Sequence, residues 1–418
     1  MSGAVIPADL GRRSDNLAAT ALYGAMLAAA GLPIYLHAPK FYLDEYGVSL
    51  AALGTVLFGL RLFDVVQDPL LGRLAERLRG GRGIAVTLSA VVMGLAMLGL
   101  FAVTPPIVPL AWFAAMLALL FTAFSFLSIC FYAQGVHKAE TMGPTGYLRL
   151  ATWRETGGLL GVCVAAVAPT LLVLQTDAPF AAFAAGFCAL IAVASLAMRG
   201  EWATPPSARP SGFRVVLADG VARRLLLIAL VNGAPVAVTS TLFLFFVESG
   251  LAAPGWEGPL LLLFFLSAAL SAPLWGRAAA RFGARATLLA GMILAVIAFG
   301  GAAMLGPGDV QWFALICIAS GAALGADMTL LPALFAARMA RIAPDAGEAF
   351  GLWSFVSKFT LAFAAVTLLP LLDAGGFVAG GTNTDAALGL LAISYALVPC
   401  ALKLVAIALL AATKLKDT

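Results

Sequence analysis

The stretch RLFDVVQDPLLGRLAER, residues 61–77, decides the fold, because a similar stretch, FLSAALSAPLWGRAAAR, occurs at residues 265–281. A proline, a glycine and two arginines recur in the same order: Pro69 matches Pro273, Gly72 matches Gly276, Arg73 matches Arg277, and Arg77 matches Arg281. The hydrophilic connection 199–224 separates the two copies. In a membrane protein, such a repeat in parallel register indicates two similar halves related by an axis along the membrane normal.

The composition indicates a membrane protein. Of the 418 residues, 62% are hydrophobic and 11% are charged, which excludes a soluble globule with a polar surface. A span needs about 20 apolar residues, and the chain offers about twelve such segments. They are 18–43, 47–73, 83–104, 109–137, 149–174, 178–198, 222–247, 258–280, 285–305, 310–337, 349–372 and 387–412. We therefore predict an all-α polytopic membrane protein with two pseudo-symmetric six-helix bundles, 1–198 and 222–418, joined by a cytoplasmic linker, 199–221.

The basic residues gather on one side of the predicted membrane. Lysines and arginines fill the segments 73–82, 138–149, 199–224, 277–285, 338–341 and 414–416, whereas the opposite connections carry acidic charges. By the positive-inside rule, the basic side and both termini are expected in the cytoplasm, with the chain in the cell (inner) membrane. The net charge of +4 is then a topology signal rather than a sign of nucleic-acid binding.

Two carboxylates stand inside the second predicted span. Asp64 and Asp68 lie one helical turn apart, and the repeat aligns them with Ala268 and Ala272, so they are specific to the first half. An isolated charge near the bilayer centre is unfavourable by about 2.5–3.5 kcal/mol, so an acidic pair is first interpreted as a cation or proton site. The alternative is a structural ion pair with Arg61, which lies three residues before Asp64.

The chain resembles a known family in this region. The run Arg61-x-x-Asp64-x-x-x-Asp68-Pro69-x-x-Gly72 is similar to the second-helix signature of the glycoside–pentoside–hexuronide:cation symporters, the melibiose-permease branch of the major facilitator superfamily. The preceding Tyr42-x-Asp44-x-x-Gly47-x-Ser49 agrees with that family, as does Trp353-Ser-Phe-Val-Ser-Lys358 in the eleventh span. The resemblance implies the major facilitator fold.

The resemblance also implies a monovalent-cation site. In melibiose permease the cation lies among two carboxylates, a neighbouring amide and a fourth-helix hydroxyl, which here correspond to Asp64, Asp68, Gln67 and Ser125. Gln67 is longer than the family's asparagine, so that match is loose. A hard cation prefers several oxygen ligands, and two close carboxylates either bind one or share a proton.

The sugar site of the family transfers poorly. Galactoside-binding members carry a carboxylate in the first helix and one in the fourth, but the first span here has none and the fourth-helix position is Ser128. Tyr132 stands where the family has a tryptophan against the sugar ring, so it is either an aromatic platform or an ordinary packing residue. The solute class therefore stays open.

Further charges lie within the predicted spans, among them Arg154 and Glu155 at the start of the fifth, Asp327, Lys358 and Lys403. Arg154 and Lys358 are expected to contact either an anionic solute or the acidic pair when no cation is bound. Lys358 is otherwise a snorkelling or packing residue, and Asp327 is a lone acid with no family counterpart. Lys403 is expected to snorkel or to pair between helices.

These features predict a secondary active transporter that carries a small organic solute, possibly a sugar or glycoside, together with Na+ or H+. No phosphate-binding GxxxxGK run or catalytic constellation occurs, so ATP-driven transport and enzymatic activity are not expected. The expected partners are the solute, the cation and the lipid bilayer, with no cofactor and a monomeric chain. Two alternatives are a lysolipid or amphipathic-solute carrier on the same fold and a non-transporting membrane assembly factor.

Overall fold

The computed structural model describes residues 16–202 and 212–413, with only the backbone of Leu32, Pro33 and Leu36. This part of the chain forms fourteen α-helices and no strand. They are α1 (Leu17–Ala29), α2 (Leu32–Tyr46), α3 (Leu50–Arg77), α4 (Arg82–Phe101), α5 (Pro109–Thr141), α6 (Gly146–Leu172), α7 (Pro179–Met198), α8 (Phe213–Ala218), α9 (Gly220–Phe245), α10 (Glu257–Phe282), α11 (Ala284–Ala302), α12 (Val310–Ile342), α13 (Gly347–Ala374) and α14 (Asp385–Ala412).

Length and composition make these helices membrane spans. Counted over the described residues, eleven helical segments are long and apolar enough to cross a bilayer. Large apolar side chains such as Val66, Leu270 and Ile297 stay exposed on their outer faces, as expected of helices that face lipid. The predicted all-α polytopic fold is confirmed. The predicted boundaries of the bundles and linker remain a prediction, and part of the linker lies outside the described residues.

The first predicted span, 18–43, is wrong as one continuous helix. The chain forms α1 and α2 instead, and Gly31 stands at the break with a backbone conformation outside the helical region. A proline follows in the first turn of α2, where its missing N–H costs no helical hydrogen bond. Glycine and proline together therefore end one helix and begin the next within the same apolar segment.

The turn between α2 and α3 explains two positions of the motif that precedes the acidic pair. Gly47 ends α2 with φ of 64°, in the left-handed region that favours glycine. The Ser49 hydroxyl accepts a hydrogen bond of 3.3 Å from the backbone N–H of Ala52 and so caps α3. These two residues start the helix that carries Asp64 and Asp68 at a defined register.

The repeated glycines join the two halves of the molecule. A methyl group at Gly72 of α3 would lie 2.9 Å from the carbonyl oxygen of Gly347 and 3.1 Å from the Cα of Gly351, both on α13. Gly276 of α10 packs in the same manner against Thr152 of α6. The duplicated stretches therefore make equivalent close contacts with the opposite half, as two pseudo-symmetric six-helix bundles require.

Polar contacts close the molecule at the end where α3 terminates, which we call the basic end. Arg79 forms an ion pair of 2.8 Å with Asp345, across the two halves. The Glu76 carboxylate accepts a hydrogen bond of 2.9 Å from the backbone N–H of Glu348, and the Glu348 carboxylate accepts one of 2.6 Å from the N–H of Phe213. The N-terminus of α13 is thus held to both α3 and the linker.

The opposite end of the molecule, where α2 ends and α3 begins, we call the acidic end. The helix pairs that touch across the halves are chiefly α3 with α13, α6 with α10, α12 with α5 and α6, and α13 with α5. In contrast, α2, which lies next to the acidic end, makes its main contacts with α1, α3, α4, α5 and α6 of its own half. The chain therefore adopts a conformation closed at the basic end.

Candidate functional site

Lys358 of α13 reaches across the interface between the halves into the acidic pair of α3. Its Nζ lies 3.0 Å from Oδ1 of Asp68 and 3.5 Å from Oδ2 of Asp64. Asp68 is fully buried and Asp64 is 5% exposed. Two carboxylates and one ammonium are therefore enclosed together, and such a group is stable only when its charges are paired and hydrogen-bonded.

Neighbouring hydroxyl and amide groups complete this cluster. Lys358 Nζ also donates a hydrogen bond to the hydroxyl of Ser125 on α5. Gln67 donates from Nε2 to Oδ1 of Asp64, and its own carbonyl accepts a bond of 2.9 Å from the hydroxyl of Thr122. The structure thus brings together all four residues of the predicted cation site.

Asp68 has a second partner that the sequence did not predict. The hydroxyl of Ser354, one turn before Lys358 on α13, donates a short hydrogen bond to Oδ2 of Asp68. Because Lys358 binds Oδ1, both carboxylate oxygens of Asp68 have partners from α13. The motif around Trp353 contains this serine, so the spacing of Ser354 and Lys358 at i and i+4 was the available signal.

Arg61 lies outside this cluster. Its guanidinium stands over the ring of Tyr35, 5.1 Å from the ring centre, in a cation–π contact. The acidic pair therefore has its ion pair with Lys358 of the other half rather than with Arg61 of the same helix. A lysine that bridges the halves can respond to their movement, whereas an arginine on α3 would move with the carboxylates.

Arg154 forms a second buried cluster, on α6. It pairs with the adjacent Glu155 at 2.7 Å, and its guanidinium lies 3.7 Å from the ring centre of Tyr132. The Tyr132 hydroxyl donates a hydrogen bond of 2.8 Å to Glu155. Arg154 thus covers one face of the predicted aromatic platform and has its ion pair with Glu155 rather than with the acidic pair on α3.

A third cluster joins three helices of the second half. Lys403 of α14 donates short hydrogen bonds to Oδ2 of Asp327 on α12 and, at 2.7 Å, to Oδ1 of Asn232 on α9. All three side chains are buried. Sequence reasoning singled out Asp327 and Lys403 separately but missed Asn232, because an isolated asparagine carries no motif.

A cavity of about 410 Å³ lies between the two halves and touches all three clusters. Helix α5 supplies one wall, and α9, α12 and α13 supply the others. Its polar lining residues are Ser128, Tyr132, Asn232, Asp327, Ser354, Ser357 and Lys358. The remaining lining is mostly aliphatic and aromatic. It includes Phe350, whose ring centre lies 5.3 Å from that of Tyr132. Phe350 is adjacent in sequence to Gly351, which packs closely against Gly72 of α3.

The polar groups around Lys358 Nζ are oxygen ligands. Across the described residues, no three His, Cys, Asp or Glu side chains are grouped so that they could hold a metal ion. The oxygens around Lys358 Nζ come from two carboxylates and one hydroxyl, and all are hard ligands. The Lys358 ammonium lies among these three oxygens.

Comparison with known proteins agrees with this architecture. The family model described as MFS/sugar transport protein matches residues 18–417. Two solved structures of a bacterial homologue of the iron transporter ferroportin in the outward-facing state, one soaked with iron, share the fold with TM-scores of 0.72 and 0.70. Their sequences are 14% and 13% identical, and the matches cover 95% and 94% of this chain and 98% of each of theirs.

No curated protein sequence matches the chain. The family match nevertheless extends over nearly the whole chain, and it agrees with the second-helix run, the two-bundle fold and the central cavity described above. The chain is therefore a transporter rather than an enzyme, and it belongs to the MFS/sugar transport protein family, the family of the melibiose-permease-like cation symporters.

Proposed function

We propose that this protein is a symporter that couples the entry of a small, neutral organic solute to Na+ or H+ by alternating access. The observation that carries the proposal is the Lys358 ammonium between Asp64 and Asp68, at 3.5 and 3.0 Å. Two carboxylates and one ammonium leave one negative charge in excess. The pair therefore attracts a monovalent cation or a proton, which competes with the ammonium for the carboxylates.

Competition between Lys358 and the cation supplies the coupling. A cation that binds Asp64 and Asp68 displaces the ammonium, and Lys358 also lines the central cavity. The displaced Lys358 side chain then adds positive charge to the cavity wall. Its displacement also breaks the ion pair that joins α13 to α3. Binding of cation and solute is linked in this way, because each ligand shifts the population toward the state that the other prefers.

The pairing of the other buried charges favours a neutral solute. Arg154 has Glu155 as its counter-ion, and Lys403 has Asp327. Neither basic group offers an uncompensated positive charge to an anion. A solute with hydroxyl groups, such as a sugar or glycoside, suits the mixed polar and apolar lining of the cavity better than a carboxylate does.

The size of the cavity favours a small solute over a lysolipid. Its volume of about 410 Å³ lies toward the lower end of the range of about 300–1,000 Å³ that is typical of small-molecule sites. A long acyl chain needs an apolar continuation of the site. The polar groups of Ser128, Asn232 and Ser357 lie within this cavity instead.

We place the basic end in the cytoplasm of the cell (inner) membrane by the positive-inside rule. Both termini then face the cytoplasm, and the conformation described here, closed at the basic end, opens outward. We further propose that the protein works as a monomer without a bound cofactor, because each half contributes to one cavity within a single chain.

The proposal is tested by melting the purified full-length protein in detergent against NaCl, LiCl and pH. We expect Na+, Li+ or acidification to raise the melting temperature of the wild type, and Asp68→Asn to abolish that response. Asp373→Asn, an identical change at an exposed position at the acidic end of α13, serves as the matched control and should respond as the wild type does. A wild type that responds to none of the three, or an Asp68→Asn variant that responds normally, contradicts the proposal.

A further inference from the structure

The cluster of Asp327, Lys403 and Asn232 has no part in the proposed cation site. It lies in the second half, whereas the acidic pair lies in the first. Two of its members, Asp327 and Asn232, line the central cavity, but Lys403 does not and is only 2% exposed. The cluster therefore presents two polar side chains to the cavity and keeps its cation behind them.

Lys403 fixes the orientation of both cavity-lining groups. An ammonium can only donate hydrogen bonds, so the atom of Asn232 that it contacts at 2.7 Å is the carbonyl oxygen. The amide N–H groups of Asn232 consequently point away from Lys403, and no described residue accepts from them. Oδ2 of Asp327 is held by the same ammonium, which leaves Oδ1 as the remaining acceptor of that carboxylate.

Oδ1 of Asp327 is an unsatisfied buried atom. Less than 1 Å² of its surface is exposed, and it has no hydrogen-bond partner. A buried acceptor without a partner costs about 1–3 kcal/mol, and more when it is charged. A ligand that brings a donor to this oxygen removes that cost. Asp327 lines the central cavity, so a ligand bound there can bring such a donor.

We infer that Asp327 and Asn232 form a solute-recognition subsite for hydroxyl groups. The subsite offers one charged acceptor and one amide donor side by side. A hydroxyl both donates and accepts, and neighbouring hydroxyls of a polyol can satisfy both groups at once. An ammonium group could satisfy only the acceptor, and a carboxylate only the donor while facing the charge of Asp327. The ligand class is therefore a neutral polyol or sugar, and this inference rests on the proposed symport.

The position of the subsite matches the proposed coupling. Lys358 and Asp327 line the same cavity from α13 and α12, so one small solute can contact both walls. The subsite assigns recognition to the second half and cation binding to the first. A solute that bridges the two therefore ties the halves together, which is what coupling by alternating access requires.

The experiment measures melting temperature in saturating NaCl with millimolar D-glucose, D-galactose, D-xylose or myo-inositol as probes. We expect at least one probe to stabilise the wild type. Asp327→Asn should weaken its apparent binding about ten- to a hundredfold, the effect of losing a hydrogen bond to a charged group. Asp327→Asn leaves Lys403 without its counter-ion, so a second variant is needed. Asn232→Ala keeps the ion pair between Lys403 and Asp327, and it should also lose the probe-dependent shift in melting temperature.

Controls separate this inference from the proposed function. Both variants keep the acidic pair, so their response to Na+, Li+ or pH should remain, and Asp373→Asn should match the wild type in every measurement. A probe-dependent shift that persists in Asp327→Asn and Asn232→Ala reflects general stabilisation by excluded cosolvent and overturns the subsite. So does a wild type that no probe stabilises while the cation response is present. A missing cation response in the wild type contradicts the proposed symport instead.

Discussion

Lys358→Met gives the sharpest test of competition between the lysine and the coupling cation. In the structure, the ammonium contacts Asp68 at 3.0 Å and Asp64 at 3.5 Å within a buried site. Removing one partner of a buried ion pair typically costs about 3–5 kcal/mol, because the other charge is left uncompensated. The variant therefore leaves two carboxylates that need a positive charge and no lysine to supply it.

The magnitude follows from the fraction of molecules whose site is free of the ammonium. If Lys358 is held by about 3 kcal/mol, fewer than about one molecule in a hundred has an open site, and the apparent Kd for a cation is weakened by the same factor. Lys358→Met removes this competition. We expect the half-saturating concentration of Na+ to fall about a hundredfold relative to the wild type.

The assay is the melting temperature against NaCl at alkaline pH, where a proton shared by the two carboxylates competes least. Lys40→Met is the matched control, because the Lys40 side chain is 72% exposed and pairs with Asp44 rather than with the acidic pair. Concentrative uptake should be lost in Lys358→Met although cation binding is stronger. A half-saturating concentration equal to or higher than that of the wild type would refute the reasoning.

The remaining predictions concern the basic end. Gly72→Leu places a side chain where even a methyl group would lie 2.9 Å from the Gly347 carbonyl oxygen. We therefore expect this variant to open the basic end, as measured by distances between spin labels on the two halves. Gly54→Leu, which has open space around it, should leave these distances unchanged. Hydrogen bonds from Arg338 lower the pKa of the Asp219 carboxyl. The ionised carboxylate therefore stabilises the fold at pH values above the ordinary pKa of aspartate. This contribution is lost as the pH falls through the lowered pKa of the folded protein. Asp219→Asn should therefore lower the melting temperature at neutral pH, by an amount that vanishes in acid; an equal difference at both pH values would contradict this assignment.

The repeat and the apolar pattern were sufficient to predict the architecture. Gly72 and Gly276 recur in the sequence because each approaches the backbone or a short side chain of the opposite half too closely for a larger residue. The break at Gly31 was not predicted, because the apolar segment runs through it without interruption. Hydropathy reports where a chain is apolar, but a glycine and a proline decide whether it remains one helix.

The candidate site was predicted in its composition but only partly in its contacts. The sequence left three roles open for Lys358, namely contact with the acidic pair, contact with an anionic solute, and snorkelling or packing, and the structure places it at the acidic pair. The link between Lys403 and Asn232 joins positions 171 residues apart and depends on the rotation of two helices about their axes. No sequence motif predicts how these two helices are rotated. Arg154 forms its ion pair with the adjacent Glu155, a pairing that the sequence did not decide.

The eight charges deep in the helices have a consequence for the membrane potential. Each lies at least eight residues from either end of its helix: Arg61, Asp64, Asp68, Arg154, Glu155, Asp327, Lys358 and Lys403. Four are acidic and four are basic, so the unloaded protein can change conformation without carrying net charge through the bilayer. Binding of one cation with a neutral solute adds a single positive charge. Moving that charge across a membrane potential of 100 mV changes its free energy by about 2.3 kcal/mol. In the proposed symport, with the basic end placed in the cytoplasm, an inside-negative potential drives the loaded step inward, and the unloaded return step carries no net charge.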